Sequence, residues 1–313
     1  MKKLSLKDQG EFCFSIGQYN KPRLKVNPGE TVVVETEDAA GGQFRRIGDK
    51  RDYKKMPYGN PVFGPVYVNG AEKGDTLVVD IGDIVPTIGQ GYIMVSRWWL
   101  YLGHSKTNRI MSSFLEPKLP DDLNLKILPI KDGKVYFDGL TLPYKPMVGT
   151  IGTAPELESI LSFLPGPHGG NMDLPSITKG CKIYLPVKVE GALLHLGDVH
   201  GLQGQCEISG TGLEMPAEVT FKTDLIKGQD IDWPRLENDE YIMSVACSGT
   251  GRSSDDAIRL AFVNLALWME KDYGMKRWDI WELCSLLSNI EDGNGWCVAA
   301  SFPKKYLPKK IGK

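Results

Sequence analysis

Short apolar runs separated by glycine and proline turns dominate the first 240 residues of the chain. Residues 31–36 and 76–81 are rich in β-branched side chains, and each run follows a turn signal. Such runs are typical of β-strands. Further strands are predicted at residues 134–137, 182–189, 217–223 and 241–246. Many short strands between turns predict a mainly β fold, with a sandwich- or barrel-like body over residues 1–240.

The pattern changes after residue 240. A capping Ser253, an acidic first turn, apolar residues every three or four positions and a stop at Gly274 predict a helix. A second helix is predicted at about 278–290, followed by a strand near 297–300, whereas the polar residues 304–313 predict a frayed tail. Residues 241–313 are therefore expected to form a smaller α+β part with two helices, packed on the same body.

Charge and composition exclude several functional classes. The 313 residues contain 37 Lys and Arg against 39 Asp and Glu, a net charge of −2. This balance argues against disorder and against nucleic-acid binding through overall basic charge. No apolar run is long enough to cross a membrane, and the N-terminus has no apolar signal region, so we expect a cytoplasmic protein. The six cysteines form no C-x-x-C pair, which disfavours a disulfide framework or a cysteine zinc site.

Two of the four histidines lie in polar clusters that suggest metal binding. Asp198 and His200 follow the apolar run 189–194, and residues two apart on a strand point to the same side. Carboxylate and imidazole are both zinc ligands. His168, followed by two glycines, is the obvious third ligand, while His195 is expected to face away from Asp198 and pack in the core. The only polar residues beside His104 in sequence are Ser105 and Lys106, and it is left unassigned.

Four further polar residues are candidates. Glu207 and Glu214 come after the Asp-x-His pair and are candidates for a ligand or a general base. Asp38 and Gln43 flank a Gly-Gly turn, where they either form a solvated turn or orient a substrate amide or a ligand histidine. Spacing alone leaves these alternatives open, and it leaves open that the Asp-x-His pair is incidental.

Other motifs are weak. Residues 249–254 lack the third glycine of a dinucleotide loop and the Gly-Lys-Ser/Thr end of a P-loop, and a helix cap is the favoured interpretation. There is no Gly-x-Ser-x-Gly. Cys206 next to Glu207 is a poor nucleophile–base pair, because adjacent strand residues point to opposite faces.

These residues together resemble the acetamidase/formamidase family. The match is densest at 168–173, 184–194 and 197–200, and it continues through Gln203, Glu207 and Glu214. Weaker matches lie at 38–43, 60–71 and 146–152, so the resemblance covers nearly the whole chain in order.

The resemblance implies a metal-dependent amidase that releases ammonia from a small amide of the formamide or acetamide type. It also implies a largely β fold and a homodimer or larger homo-oligomer. It points to His168, Asp198 and His200 as metal residues, with Asp38 and Glu214 as alternatives. Glu214 or Glu207 is the expected general base, and Gln43 and Gln203 are the expected substrate-binding residues. Zinc is the first choice of metal, with calcium, iron or manganese compatible.

The chain departs from the family pattern at two positions. Where the family reads Gln-Gly-Asp-Gly-Glu, this chain has neutral Gln205 and Cys206. The aromatic stretch 98–102 is also unusual. Two alternatives remain: a non-catalytic β-rich module stabilised by a closed metal site, and an amidase that depends on Cys206. The sequence does not identify the amide, the metal or the oligomeric state.

Overall fold

The computed structural model describes residues 1–96, 124–249 and 253–311. His104, the aromatic stretch 98–102 and residues 250–252 lie outside these ranges. The strands of the described chain are β1 (Lys2–Leu4), β2 (Ser15–Gly17), β3 (Leu24–Val26), β4 (Thr31–Thr36), β5 (Val62–Val68), β6 (Thr76–Pro86), β7 (Gln90–Ile93), β8 (Lys126–Lys131), β9 (Lys134–Phe137), β10 (Leu140–Pro143), β11 (Met147–Gly152), β12 (Ser159–Leu161), β13 (Gly169–Asn171), β14 (Lys182–Pro186), β15 (Leu194–His200), β16 (Ala217–Ile226), β17 (Arg235–Glu237), β18 (Tyr241–Cys247), β19 (Asn289–Asp292) and β20 (Cys297–Pro303). The α-helices are α1 (Leu6–Gln9), α2 (Ser254–Tyr273) and α3 (Arg277–Leu287).

Within the described ranges these strands form two large sheets and two small ones. The largest has nine strands in the order β1-β4-β16-β6-β14-β17-β18-β20-β19. A five-stranded sheet runs β13-β11-β15-β5-β3, and smaller sheets pair β10-β9-β8-β7 and β12-β2. Val32 and Ile183 of the nine-stranded sheet share one hydrophobic core with Val66 and Leu196 of the five-stranded sheet. The predicted mainly β fold with two C-terminal helices is confirmed.

The five-stranded sheet positions the polar residues of interest. Every residue of β11 and β15 is buried, because neighbouring layers cover both faces of these strands. The sequence indicates a strand-like run at 189–194, with the Asp-x-His pair on one face of the extended segment that follows it, and the strand begins only at the end of that run. The strand is Leu194–His200, so that Asp198 and His200 are inside it. Glycine allows the turn at 191, where φ is +74°.

The helices have the expected ends. The hydroxyl oxygen of Ser253 accepts a hydrogen bond from the backbone N–H of Asp255, and α2 stops at Gly274, which has φ of +63°.

The predicted frayed tail is wrong for residues 304–311. Lys304 forms an ion pair with Glu237 at 2.7 Å, and the backbone N–H of Ile311 donates to the carbonyl of Asp272. No helix in the described ranges has the length and apolar character needed to span a membrane.

Candidate functional site

Five titratable side chains converge at the end of β15. We call them the acidic centre: His200 and the carboxylates of Asp173, Asp198, Glu207 and Glu214. All five are buried. Nε2 of His200 lies 3.1 Å from Oε1 of Glu214, 3.4 Å from Oδ1 of Asp198 and 4.0 Å from Oε1 of Glu207. Ligand-type atoms lie within 4.8 Å of one another in two overlapping groups, Asp173–Asp198–His200 and His200–Glu207–Glu214.

The orientation of His200 follows from its contact with Gln203. The side-chain amide of Gln203 donates to two backbone carbonyls, of Asp173 at 2.7 Å and Gly293 at 3.0 Å. Its oxygen therefore faces Nδ1 of His200, 2.7 Å away, and Nδ1 must carry the proton. In the neutral ring Nε2 then presents a lone pair to the carboxylates. A lone pair and a carboxylate oxygen at 3.1 Å repel each other unless a proton or a cation lies between them.

Side-chain amides donate to one oxygen of each aspartate of the acidic centre and leave its other oxygen free of amide donors. Oδ2 of Asp173 accepts from Asn171 at 2.7 Å and Asn294 at 3.0 Å, whereas its Oδ1 has no hydrogen-bond partner among the described residues. Oδ2 of Asp198 accepts from Asn60 at 2.9 Å, and its Oδ1 faces His200. A carboxylate oxygen of each of these two aspartates lies within 4.8 Å of a ring nitrogen of His200.

The pKa values of three carboxyl groups of the centre and of its imidazole are raised. Burial, reinforced by Asp198, raises the pKa of Asp173 to about 7. Burial likewise raises the pKa of Glu214 to about 8 and that of Glu207 well above its usual range. Burial opposes protonation of His200, but Glu214 and Asp198 overcome it and raise the pKa of that imidazole well above 6.5. Four buried carboxylates around one imidazole are thus a site that attracts positive charge.

A cavity of about 290 Å³ opens onto the acidic centre. Asp198, Glu207 and Glu214 form its polar floor. Its apolar walls include Tyr92, Met94, Phe163 and Trp296, and Arg51 and Asn60 also line it. An apolar pocket with a few convergent polar groups is the usual form of a small-molecule site.

Two residues predicted as metal ligands lie outside both groups of ligand atoms. His168 is buried, neither ring nitrogen has a hydrogen-bond partner among the described residues, and burial lowers its pKa to about 4. Asp38 is fully buried, but Oδ1 accepts from the backbone N–H groups of Ala40 and Gly42, and Oδ2 pairs with Arg45. The structure therefore leaves Asp38 no oxygen free of a partner.

The predicted substrate-binding residues have other partners. Gln43 exchanges hydrogen bonds with the backbone of Asp52. The side-chain oxygen of Gln203 contacts Nδ1 of His200. His195 contacts Asn20 at 2.9 Å and the carbonyl of Leu193 at 2.9 Å, as expected of a packing histidine.

The two departures from the family pattern lie on one short turn. Gln205 accepts from the backbone N–H of Asp292 at 3.2 Å. Cys206 has φ of +67°, a conformation that glycine adopts without strain, which explains why the family pattern has glycine there. Cys206 does not line the described cavity at the acidic centre.

The sequence alone did not single out Asp173 or the side-chain amides that hold it. Asp173 belongs to the same 168–173 motif as His168, and the Asn171-x-Asp173 spacing was the available signal. Asn60 and Asn294 offered no signal, since they are distant in sequence from the residues that they hold.

The sequence and fold of the chain are similar to those of known proteins. The sequence model of the Acetamidase/Formamidase family matches residues 20–163 and 158–286. The chain belongs to this family. The acetamidase of Yersinia enterocolitica has a crystal structure that superimposes with a TM-score of 0.88 at 36% identity, covering 97% of this chain and 92% of that one.

Two named family members are similar to parts of the chain. The acetamidase of Mycolicibacterium smegmatis is 28% identical over 265 residues, which is 65% of this chain and 63% of that protein. The formamidase of Methylophilus methylotrophus is 27% identical over 255 residues, 64% of this chain and 61% of that protein. The match thus spans less than two thirds of the length of each of these relatives.

Proposed function

We propose that this acetamidase/formamidase family member hydrolyses the C–N bond of a small aliphatic amide to a carboxylate and ammonia, with a divalent metal ion at the acidic centre. The observation that supports this most directly is the position of His200. Its Nδ1 is engaged by Gln203, and its Nε2 faces carboxylate oxygens at 3.1 and 3.4 Å. The names of the relatives support the reaction class, since they are formamidases and acetamidases.

The donor set fits a divalent cation. Two buried atoms of the residues that could hold the ion have no hydrogen-bond partner among the described residues: Nε2 of His200 and Oδ1 of Asp173. Unpaired buried acceptors are costly, and a cation satisfies them. Imidazole with carboxylates suits zinc first, with iron or manganese compatible, while an oxygen-rich set also admits calcium.

We assign Asp173, Asp198 and His200 to holding the ion. A divalent ion polarises an amide carbonyl and acidifies water. Oε2 of Glu214 takes the proton from the attacking water and returns it to the leaving nitrogen. Glu207 borders the same cavity and is the second candidate for this transfer. Tyr92, Met94 and Phe163 exclude bulk water and contact the acyl group of the amide.

The direct test is ammonia release from formamide and acetamide before and after chelation, with metal content measured on the same preparation. We expect turnover to disappear on chelation and to return with one added metal. Turnover that survives complete metal removal would refute the metal mechanism. Bound metal without ammonia from any aliphatic amide would instead favour the non-catalytic module, and loss of turnover in Cys206→Ala with metal retained would favour the cysteine mechanism.

A second test uses the close approach of Gly149 to both aspartates. A Cβ atom at this position would lie 2.5 Å from Oδ1 of Asp173 and 2.9 Å from Oδ2 of Asp198. We expect Gly149→Ala to displace both carboxylates and to weaken metal binding by about 10–100-fold. This is the usual loss of affinity when residues that orient metal ligands are mutated. Gly204→Ala is the matched control, because a Cβ there meets nothing within 4 Å. Metal affinity is measured by competition with a chelator. Equal affinities in the two variants would contradict the assignment of Asp173 and Asp198 as metal ligands.

A further inference from the structure

A second cavity lies away from the acidic centre, and no residue lines both. It has a volume of about 460 Å³ and is bounded by α2, by strands of the nine-stranded sheet and by the C-terminal segment. Trp268 forms one wall and is 2% exposed. Ile226 and Ile231 add apolar surface. The reaction proposed above uses none of these residues.

Three cationic side chains line this cavity against one carboxylate. Arg235, Lys271 and Lys310 are the cations, and Asp272 is the carboxylate. One oxygen of Asp272 already accepts the indole N–H of Trp268 at 2.9 Å. The lining therefore has an excess of positive charge, which favours an anionic occupant.

Arg235 has no ion pair with any described residue. It pairs with Tyr184 across β14 and β17, so both side chains lie on the same side of the sheet, facing α2. Its guanidinium lies 4.8 Å from the ring centre of Trp268, yet it forms no hydrogen bond or ion pair with any described residue. Burial lowers the pKa of Arg235, and Asp272 and Asp232 oppose this only in part. A ring face compensates for only part of the hydration that a guanidinium loses.

The C-terminal segment adds Lys310 to the same cavity. Its ammonium lies 6.0 Å from the ring centre of Trp268 and 5.5 Å from that of Tyr273. Its nearest carboxylate oxygen, Oε2 of Glu237, is 3.8 Å away and also accepts from the hydroxyl of Tyr184. Lys304 holds the other oxygen of Glu237 at 2.7 Å. Glu237 is thus shared among several donors, and Lys310 is free to pair with another anion.

We propose that this cavity binds a small organic anion whose carboxylate or phosphate group pairs with Arg235 and Lys310. The planar guanidinium suits two-point pairing with either group. The aliphatic part of the ligand packs against Ile226, Ile231 and the part of Trp268 that lines the cavity. The same chemistry serves a carboxylic acid and a phosphate ester, so the two are separated by experiment.

The test is calorimetric titration of the purified chain with hexanoate, phenyl phosphate and inorganic phosphate, against chloride at equal ionic strength. We expect saturable binding of at least one organic anion, and the tighter of the two identifies the head group. Arg235→Gln should weaken it by about tenfold or more, because it removes a charged hydrogen-bond donor. Lys310→Gln is the second variant, in case Arg235→Gln fails to fold.

Two controls separate this site from other positive charges and from the acidic centre. Arg259→Gln removes an exposed arginine of α2 that is paired with Asp256 at 3.0 Å, and it should leave binding unchanged. Asp198→Asn alters the acidic centre and should also leave binding unchanged. No saturable binding, equal binding to both well-folded cavity variants and the original chain, or loss of binding in Asp198→Asn would each overturn the proposal.

Discussion

Replacement of His200 by alanine is expected to abolish metal binding and amide hydrolysis together. His200 is the only residue common to both groups of ligand atoms, and its Nε2 lies 3.1 Å from Oε1 of Glu214. Its loss leaves buried carboxylates with mutual repulsion and no imidazole between them. Metal chemistry accounts for several kcal/mol of transition-state stabilisation, so turnover should fall by about 10³-fold or more. Elemental analysis and ammonia release measure the two effects on one sample.

His168→Ala is the matched control for this prediction. Both histidines are buried, and thermal unfolding shows whether either variant is merely unstable. His168 lies outside both groups of ligand atoms, so its alanine variant should retain the metal. If His168→Ala folds but loses the metal as His200→Ala does, then His168 is a ligand and the assignment of Asp173 in its place is wrong.

Replacement of Glu214 by glutamine should reduce kcat by about 10²–10⁴-fold while the metal stays bound, because glutamine has the same size but cannot take up a proton. Oε2 of Glu214 has no hydrogen-bond partner among the described residues, and the side chain borders the cavity. KM should change little, since the variant leaves the apolar walls intact. Single-turnover rates with metal content measured in parallel separate the chemical step from metal loss.

Glu207→Gln is the companion variant and should have the smaller effect. Glu207 borders the same cavity, but its Oε1 is 4.0 Å from Nε2 of His200, against 3.1 Å for Oε1 of Glu214. The reverse ranking would transfer the proton-transfer role to Glu207. Unchanged rates in both variants would remove a carboxylate base from the mechanism, and metal loss in Glu214→Gln would make Glu214 a ligand instead.

The elements that sequence analysis predicted well are those with strong local signals. The strands at 31–36 and 134–137 have the predicted bounds, since β-branched or aromatic residues and a preceding turn mark both. Helix α2 begins after the Ser253 cap and ends at Gly274, as its cap and stop signals indicated. Strand β6 continues to Pro86, five residues beyond the prediction, because its pairing with β16 depends on a distant part of the chain.

The site shows the same division between local and distant information. The structure brings Asp198, His200, Glu207 and Glu214 together, and the spacing of the first two in one strand already suggested proximity. Strand periodicity fails at the 168–173 motif, because Gly169 and Gly170 have φ of +93° and +83° and turn the chain. Asp173 then faces His200, and His168 does not. Asp38 could not be judged from sequence, because its partner Arg45 lies in an irregular segment.

The contacts of Asn294 bear on when during synthesis the acidic centre can assemble. Asn294 donates to the carbonyl of Asn171 and to Oδ2 of Asp173, and the neighbouring Gly293 accepts from Gln203. A nascent chain exposes residues 293 and 294 only after both long helices have been made, while Asp173 and Asp198 emerge much earlier. The early part of the chain therefore lacks one of the two side-chain amides that hold Asp173. We expect metal uptake to be a late event, governed by the ions that surround the chain after residue 294 has left the ribosome.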